Sequence, residues 1–266
     1  MLLSGALCAG LGCNRVPKGE ADGQSFLRCA QTPPPAARTF QAGALTLTVR
    51  DRELAIAAAS PVRVAAFTGP VGRGFGAEDL RQLAGEQLAL WIGGIGDTEA
   101  LARENVARVA ALRVPTVFIA GGADRWPIVQ AAFQGLADDA TVVQGSGLRR
   151  LTLGAQRFVV AAGAALGRYA LDDQSCGLTP EDVAAIRDEA KPDSHSYLLS
   201  WHAPARSLRE GSAALDPLAG AGGLFAFPEQ GVPRLGAPGI QRLDGARLRS
   251  QVGKWDVGPD GLRPRP

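Results

Sequence analysis

The chain is poor in the groups that most metal and nucleic-acid sites use. It has only two histidines, His195 and His202, so a histidine-rich metal centre is excluded by counting. Its cysteines, Cys8, Cys13, Cys29 and Cys176, form no CxxC, which leaves a structural zinc ribbon without support. Aromatic residues are 6% of the chain, too few for single-strand stacking platforms. Net charge is +2, from 28 basic and 26 acidic residues, which argues against a dedicated nucleic-acid binder. No run of about 18 uninterrupted apolar residues exists, so no ordinary membrane span is expected. What is present is a globular composition, 46% apolar and 20% charged over 266 residues. That length suits one large domain or two small ones with a real core.

The amino-terminal residues 1–13 read as a signal or lipobox-like segment. Leu2–Cys13 is apolar and small, and a polar run, Lys18–Ser25, follows. Leu11-Gly12-Cys13 resembles a bacterial lipoprotein cleavage site, with Cys13 as the lipid-bearing residue and a lipid anchor as the one membrane contact. The apolar part is short and no Lys or Arg precedes it; a start codon placed too far downstream explains both. This reading predicts a bacterial cell-envelope protein, lipid-anchored or periplasmic. The rival reading is the apolar start of a cytoplasmic protein. In an oxidising compartment Cys29 and Cys176 are free to pair; otherwise they stay buried thiols. Residues 14–40 are polar and proline-rich, and Thr32–Ala37 reads as a stiff linker before a folded domain over 41–266.

Within that domain the pattern alternates. Leu45–Val49 and Leu54–Ala58 read as a strand pair. Val62–Phe67, Leu88–Ile92 and Thr116–Ala120 are apolar strands, with helices predicted over Glu78–Gly85, Thr98–Leu112 and Arg125–Leu136. Thr141–Val143, Leu151–Leu153 and Phe158–Ala161 read as an antiparallel meander. A capped helix starts at Thr179 and runs to about Glu189. Ser196–Trp201 is a further strand, and short strands are expected near Leu224–Phe227, Gly239–Leu243 and Ala246–Gln251. The fold class is therefore α/β with a β-rich second half.

Three strands end in glycine turns: Thr68-Gly69-Pro70-Val71-Gly72, Gly93-Gly94-Ile95-Gly96-Asp97 and Gly121-Gly122-Ala123-Asp124. A fourth ends in Ser200-Trp201-His202-Ala203-Pro204. Ligands of parallel α/β sheets sit outside the carboxyl ends of strands, and glycine there allows close backbone approach. The alternative is a set of tight turns with no ligand.

The order and spacing of these turns resemble the calcineurin-like metallophosphoesterases, from about Val62 to Arg249. That family carries Asp-x-His, Gly-Asp-x-x-Asp, Gly-Asn-His-Asp/Glu, a lone His and Gly-His-x-His in order, holding two metal ions. The resemblance implies an αββα sandwich with central mixed sheets. Residue by residue, the site it implies is vestigial. Gly69 and Val71 stand where Asp and His belong, Gly94 where the bridging Asp belongs, and Gly122 and Ala123 where Asn and His belong. Gly223 and Phe225, in Gly222-Gly223-Leu224-Phe225, fall on the last two histidines. Asp97, Asp124 and His202 are the retained family positions. Gly, Ala, Val and Phe bind no hard or borderline metal. The implied function is therefore a catalytically inactive binding or scaffold domain, with no catalytic residue, no metal and no cofactor expected. Its expected partner is an unknown protein or a small anionic ligand, and no nucleic acid.

Three other readings stay open. A phosphoester hydrolase with a reduced site would hold one divalent ion (Mn, Fe or Zn) on His202 and Asp124, with Asp97 nearby. A dinucleotide-binding protein would use Gly72-Arg73-Gly74-Phe75-Gly76-Ala77, with Asp97 on the ribose. A serine nucleophile would pair Ser200 with His202, although no G-x-S-x-G elbow is present. Asp97 and Asp124 also have a plainer reading as helix caps. Arg73 and Arg125, beside the glycine turns, are candidates for anion binding with backbone N–H groups.

Overall fold

The computed structural model describes residues 16–265 apart from 22–23, 59–60, 71, 137–140, 166–171, 206–211, 219, 221, 228–239 and 245–251. The candidate lipidation residue Cys13, Val71 and the expected strand Ala246–Gln251 lie outside the described residues. No helix of the described residues is long and apolar enough to cross a membrane.

The protein is α/β, with mixed multi-stranded sheets and few helices. The hairpin β1 (Lys18–Ala21) and β2 (Gln24–Leu27) comes first, followed by a 3₁₀ turn at Cys29–Gln31. β3 (Arg38–Ala42), β4 (Leu45–Arg50) and β5 (Glu53–Ala57) pair antiparallel in sequence. Then β6 (Val62–Phe67), α1 (Ala77–Arg81), β7 (Leu88–Ile92), α2 (Glu99–Ala111), β8 (Thr116–Ile119), α3 (Trp126–Phe133) and β9 (Val142–Gln144) alternate. Their strands are parallel, as crossover helices require. β10 (Arg150–Leu153) and β11 (Gln156–Ala161) form a hairpin. The short pair β12 (Ala164–Ala165) and β13 (Gly177–Leu178) precedes α4 (Pro180–Ala190). β14 (Tyr197–Ser200), β15 (Gly222–Phe227) and β16 (Ile240–Asp244) run parallel. The hairpin β17 (Gly253–Gly258) and β18 (Gly261–Arg265) ends the chain.

One sheet has the order β16-β15-β14-β11-β10-β5-β4-β3, the other β18-β17-β6-β7-β8-β9. Side chains alternate across each strand, so each sheet presents two faces: both are apolar at β7 and β8 of the six-stranded sheet, whereas β4, β5 and β10 of the other sheet turn one polar face outward. Leu88, Leu90 and Ile92 of β7 meet Leu54, Leu151, Val160 and Leu199 of the other sheet in the middle of the molecule. Ala89 and Trp91, on the opposite face, pack under Ala102, Val106 and Val109 of α2 and Val129 of α3. Val159, Ala161 and Leu198 face outward from the eight-stranded sheet onto Val183 and Ile186 of α4. The layers are therefore helices, sheet, sheet, helices. Each buried large side chain contributes roughly 1.5–3 kcal/mol.

Three expectations change. β9 leaves the predicted meander and adds in parallel to β8, because the apolar Val142 and Val143 serve the six-stranded sheet. The glycine-rich carboxy-terminal stretch supplies β17, which pairs antiparallel with β6 and buries Trp255 between the sheets. The segment 14–40, expected as a linker, is built into the fold from residue 16 onward. Phe26 is fully buried, its ring filling the space where Gly177 lacks a side chain. Arg28 pairs with buried Asp182 at 2.7 Å, and Leu27 N donates to Ser175 O at 2.8 Å. The proline run is held too. Its Pro33 carbonyl lies 2.2 Å from where a Cβ on Gly147 would stand.

Cys29 and Cys176 are joined in a disulfide across a sequence separation of 147 residues. Reducing it should lower stability by about 3–5 kcal/mol, by freeing a long loop in the unfolded chain. Guanidinium melts with and without reductant test this; superimposable curves would count against it.

Candidate functional site

The strand-end turns of both sheets converge. Thr68 and Gly69 follow β6, and both donate to Gly93 O after β7, at 3.2 and 3.0 Å. Gly93 N in turn donates to Ile119 O of β8 at 2.8 Å. Trp201, following β14 in the other sheet, lays its indole on Gly93 and Gly121. A Cβ on either glycine would lie 2.5 or 2.4 Å from the ring. Gly122 is closed by the same indole at 3.0 Å and by Ala164 Cβ at 2.4 Å. A Cβ on Gly69 would lie 1.6 Å from Gly94 O. The glycines therefore admit an indole and one another, not a ligand.

Asp124 is the electrostatic centre of this junction. It is 3% exposed. Its Oδ1 accepts Gly94 N and Ile95 N, both at 3.0 Å, and its Oδ2 accepts Gly121 N at 2.7 Å. Three backbone donors from two glycine turns thus converge on one internal carboxylate. This overturns the reading of Asp124 as a cap of α3. The N-cap there is Arg125, with no side-chain capping bond. Burial pushes the Asp124 carboxyl up to about 6, although the three N–H donors favour its charged form.

The remaining candidate residues are placed apart or already engaged. Asp97 is exposed beside α2, and the cap of that helix is Thr98, whose side chain accepts Leu101 N. His202 is 2% exposed, with Nδ1 3.2 Å from Ala165 O. Ser200 donates to the His202 carbonyl at 2.6 Å rather than to its ring, so the serine–histidine reading fails on geometry. Gly223 and Phe225 lie within β15, paired with Leu198 and Ser200, not in a turn beyond it. Phe225 is a fully buried core side chain under α4.

Both candidate anion-binding arginines already carry a carboxylate partner. Arg73 binds Asp79 through both Nη atoms, at 2.6 and 3.3 Å. Arg125 pairs with Asp172 at 2.7 Å. The N–H groups assigned to a phosphate are the ones that Asp124 receives. In the Gly72–Ala77 loop two backbone N–H groups are also taken. The Asp79 carboxylate already accepts Gly76 N at 2.8 Å at the start of the five-residue α1. Phe75 N donates to Asn105 Oδ1 at 2.9 Å, pinning the loop to α2.

The metal pair implied by the family resemblance does not fit this junction. Gly69, Gly94, Gly122 and Ala123 have no donor side chains; Gly69 and Gly94 close on each other, and the Trp201 indole closes on Gly122. Among the described residues, no three His, Cys, Asp or Glu side chains group to hold a metal ion. The signal for this arrangement is Trp201, the last residue of a predicted strand and next to His202, but an aromatic there reads equally well as core.

No family model matches the chain, and no curated protein is significantly similar to it. A solved crystal structure superposes on 77% of this chain and 98% of its own, with a TM-score of 0.57 at 12% identity. At that identity the likeness shows the α/β fold alone.

Proposed function

We propose that this chain is a degenerate calcineurin-like metallophosphoesterase domain kept as a non-catalytic binding or scaffold unit of the bacterial envelope. The four layers and the meeting of the turns after β6, β7, β8 and β14 support that family's αββα sandwich. The observation that carries the loss of chemistry is the filled junction. The Trp201 indole packs on Gly93, Gly121 and Gly122, and Asp124 takes up the N–H groups of Gly94, Ile95 and Gly121. Two metals about 3.5–4 Å apart need several carboxylate or imidazole ligands facing one space, and this space faces backbone and an indole. The buried disulfide supports an oxidising compartment and hence export.

The test uses the full chain with its disulfide intact, reconstituted with manganese, zinc and iron and then desalted. Bound metal per chain and turnover of an aryl phosphodiester are measured on the same sample. The expected result is no stoichiometric metal and no turnover. Two metals with chelator-sensitive turnover would overturn the proposal. One metal lost with His202→Ala would favour the reduced hydrolase instead. Mass spectrometry of membrane-extracted protein tests the anchor, which fails if the mature amino terminus is not an acylated Cys13.

A further inference from the structure

A separate, charged cleft lies on the outer face of the eight-stranded sheet. The outward residues of β4, β5 and β10, among them Thr48, Glu53, Ala55 and Thr152, are half-exposed. A cleft of about 520 Å³ opens there, lined by Arg50, Arg52, Glu53, Arg149, Arg150 and Glu189 among others. Its base is Arg149, whose side chain is only 3% exposed.

A buried guanidinium is normally saturated by acceptors, because its desolvation is costly. Arg149 is not. Its Nη2 has no hydrogen-bond partner among the described residues. Its Nε lies 3.3 Å from Glu189 Oε2, an ion pair without hydrogen-bond alignment. Arg52 Nε lies 3.6 Å from the same oxygen. Two guanidiniums thus share one carboxylate. Arg150, by contrast, has its own partner in Glu53 at 3.2 Å. Burial, and then the neighbouring Arg52, lower the Arg149 pKa to about 10, which leaves it cationic at neutral pH.

Glu189 is a weak counter-ion for this position. It sits in the last turn of α4, where the helix dipole disfavours a negative charge. Its side chain is 46% exposed and therefore free to turn outward. Four arginines line the cleft against the carboxylates of Asp51, Glu53 and Glu189. With Glu189 turned away, the lining carries an excess of two positive charges, which matches a dianion. The cleft volume also falls within the range of organic-ligand sites, roughly 300–1,000 Å³.

We propose that this cleft binds a dianionic phosphate monoester, whose phosphoryl oxygens replace the Glu189 carboxylate against Arg149 and Arg52. Bidentate guanidinium–phosphate contacts would supply the acceptors that Arg149 lacks. The proposal does not depend on the phosphoesterase likeness, since no residue of the glycine junction takes part.

The test is calorimetric titration of the full chain at low salt, with phenyl phosphate and phenyl sulfate as dianion and monoanion of like body. Phenyl phosphate should bind saturably and about tenfold tighter than phenyl sulfate. Glu189→Gln, which removes the internal competitor, should tighten phenyl phosphate by about tenfold. Arg50→Gln, at an exposed position, should weaken it by about threefold, and Arg149→Gln should abolish binding. The Arg50 and Glu189 variants keep the test valid if Arg149→Gln does not fold. The proposal is overturned by no saturable binding to wild type and Glu189→Gln, by weaker binding to Glu189→Gln, or by equal affinity for the two esters. Inorganic phosphate binding as tightly as phenyl phosphate would overturn the assignment to an ester.

Discussion

Gly69→Ala should cost more than about 4 kcal/mol and is expected to leave little folded protein. The reason is local. A Cβ at this position would stand 1.6 Å from Gly94 O, a backbone atom fixed in its turn. Gly94, at φ +75°, has the reciprocal constraint, since its own Cβ would lie 2.7 Å from Gly69 O. Neither side has a flexible group that gives way. The control is Gly43→Ala, at φ +61° with open space around it, which should cost only about 1 kcal/mol of backbone strain. Chemical denaturation of both variants reads the difference. A stably folded Gly69→Ala protein would mean that the β6 and β7 turns are not in contact. The same clash bars any larger side chain at position 69, an aspartate included.

Asp124→Ala should destabilise the protein by roughly 3–5 kcal/mol, since it strands three buried N–H donors in two turns at once. Its pH dependence has a definite sign. The folded pKa is raised by burial to about 6, well above the ordinary carboxylate range. The folded state therefore holds this proton more tightly than the unfolded state does. The stability it contributes is fully present below about pH 4 and is lost as pH rises to about 6. The loss then levels off at roughly 3 kcal/mol. Asp124→Asn has no such titration. Denaturation midpoints of wild type and Asp124→Asn, compared from about pH 4 to about pH 7, should converge toward a constant difference only above about pH 6. Asp182, held by Arg28 and Gln31 below its ordinary value despite its burial, titrates in both proteins and cancels in the comparison. A pH-independent difference would refute the raised pKa.

The alternation of strands and helices from Val62 to Phe133 was legible because a parallel sheet buries both faces. Its strands then read as nearly continuous apolar runs, with Arg63 as the break in β6, that end in glycine turns. The turns themselves were legible as places of close approach, but not for what approaches. Glycine is demanded equally by a phosphate, a neighbouring backbone and an indole, and only tertiary placement shows that Trp201 makes the contact. Asp124 was hidden for a related reason. Its position before a helix looks like a cap, whereas its acceptors serve turns that are 30 residues apart in one case. The amino-terminal segment was misread because proline-rich composition reports extension, not exposure, and an extended chain also packs. Gly147 against Pro33 has no sequence signature. The strands β17 and β18 were missed because Gly and Pro dilute their alternation.

The order in which the two sheets receive their strands bears on how the molecule is made. β3 to β5 enter one sheet, β6 to β9 the other, β10, β11 and β14 to β16 return to the first, and β17 and β18 finish the second. β6 therefore has an unfilled side until β17 has been synthesised. The strap around Cys29 likewise waits for Cys176, Ser175 and Asp182. The eight-stranded sheet is incomplete until β16 is made, and the six-stranded sheet until β17 and β18 follow it. Vectorial delivery thus yields an open, sticky intermediate until the last hairpin arrives, and carboxy-terminal truncation at β17 should be as damaging as deletion from the core.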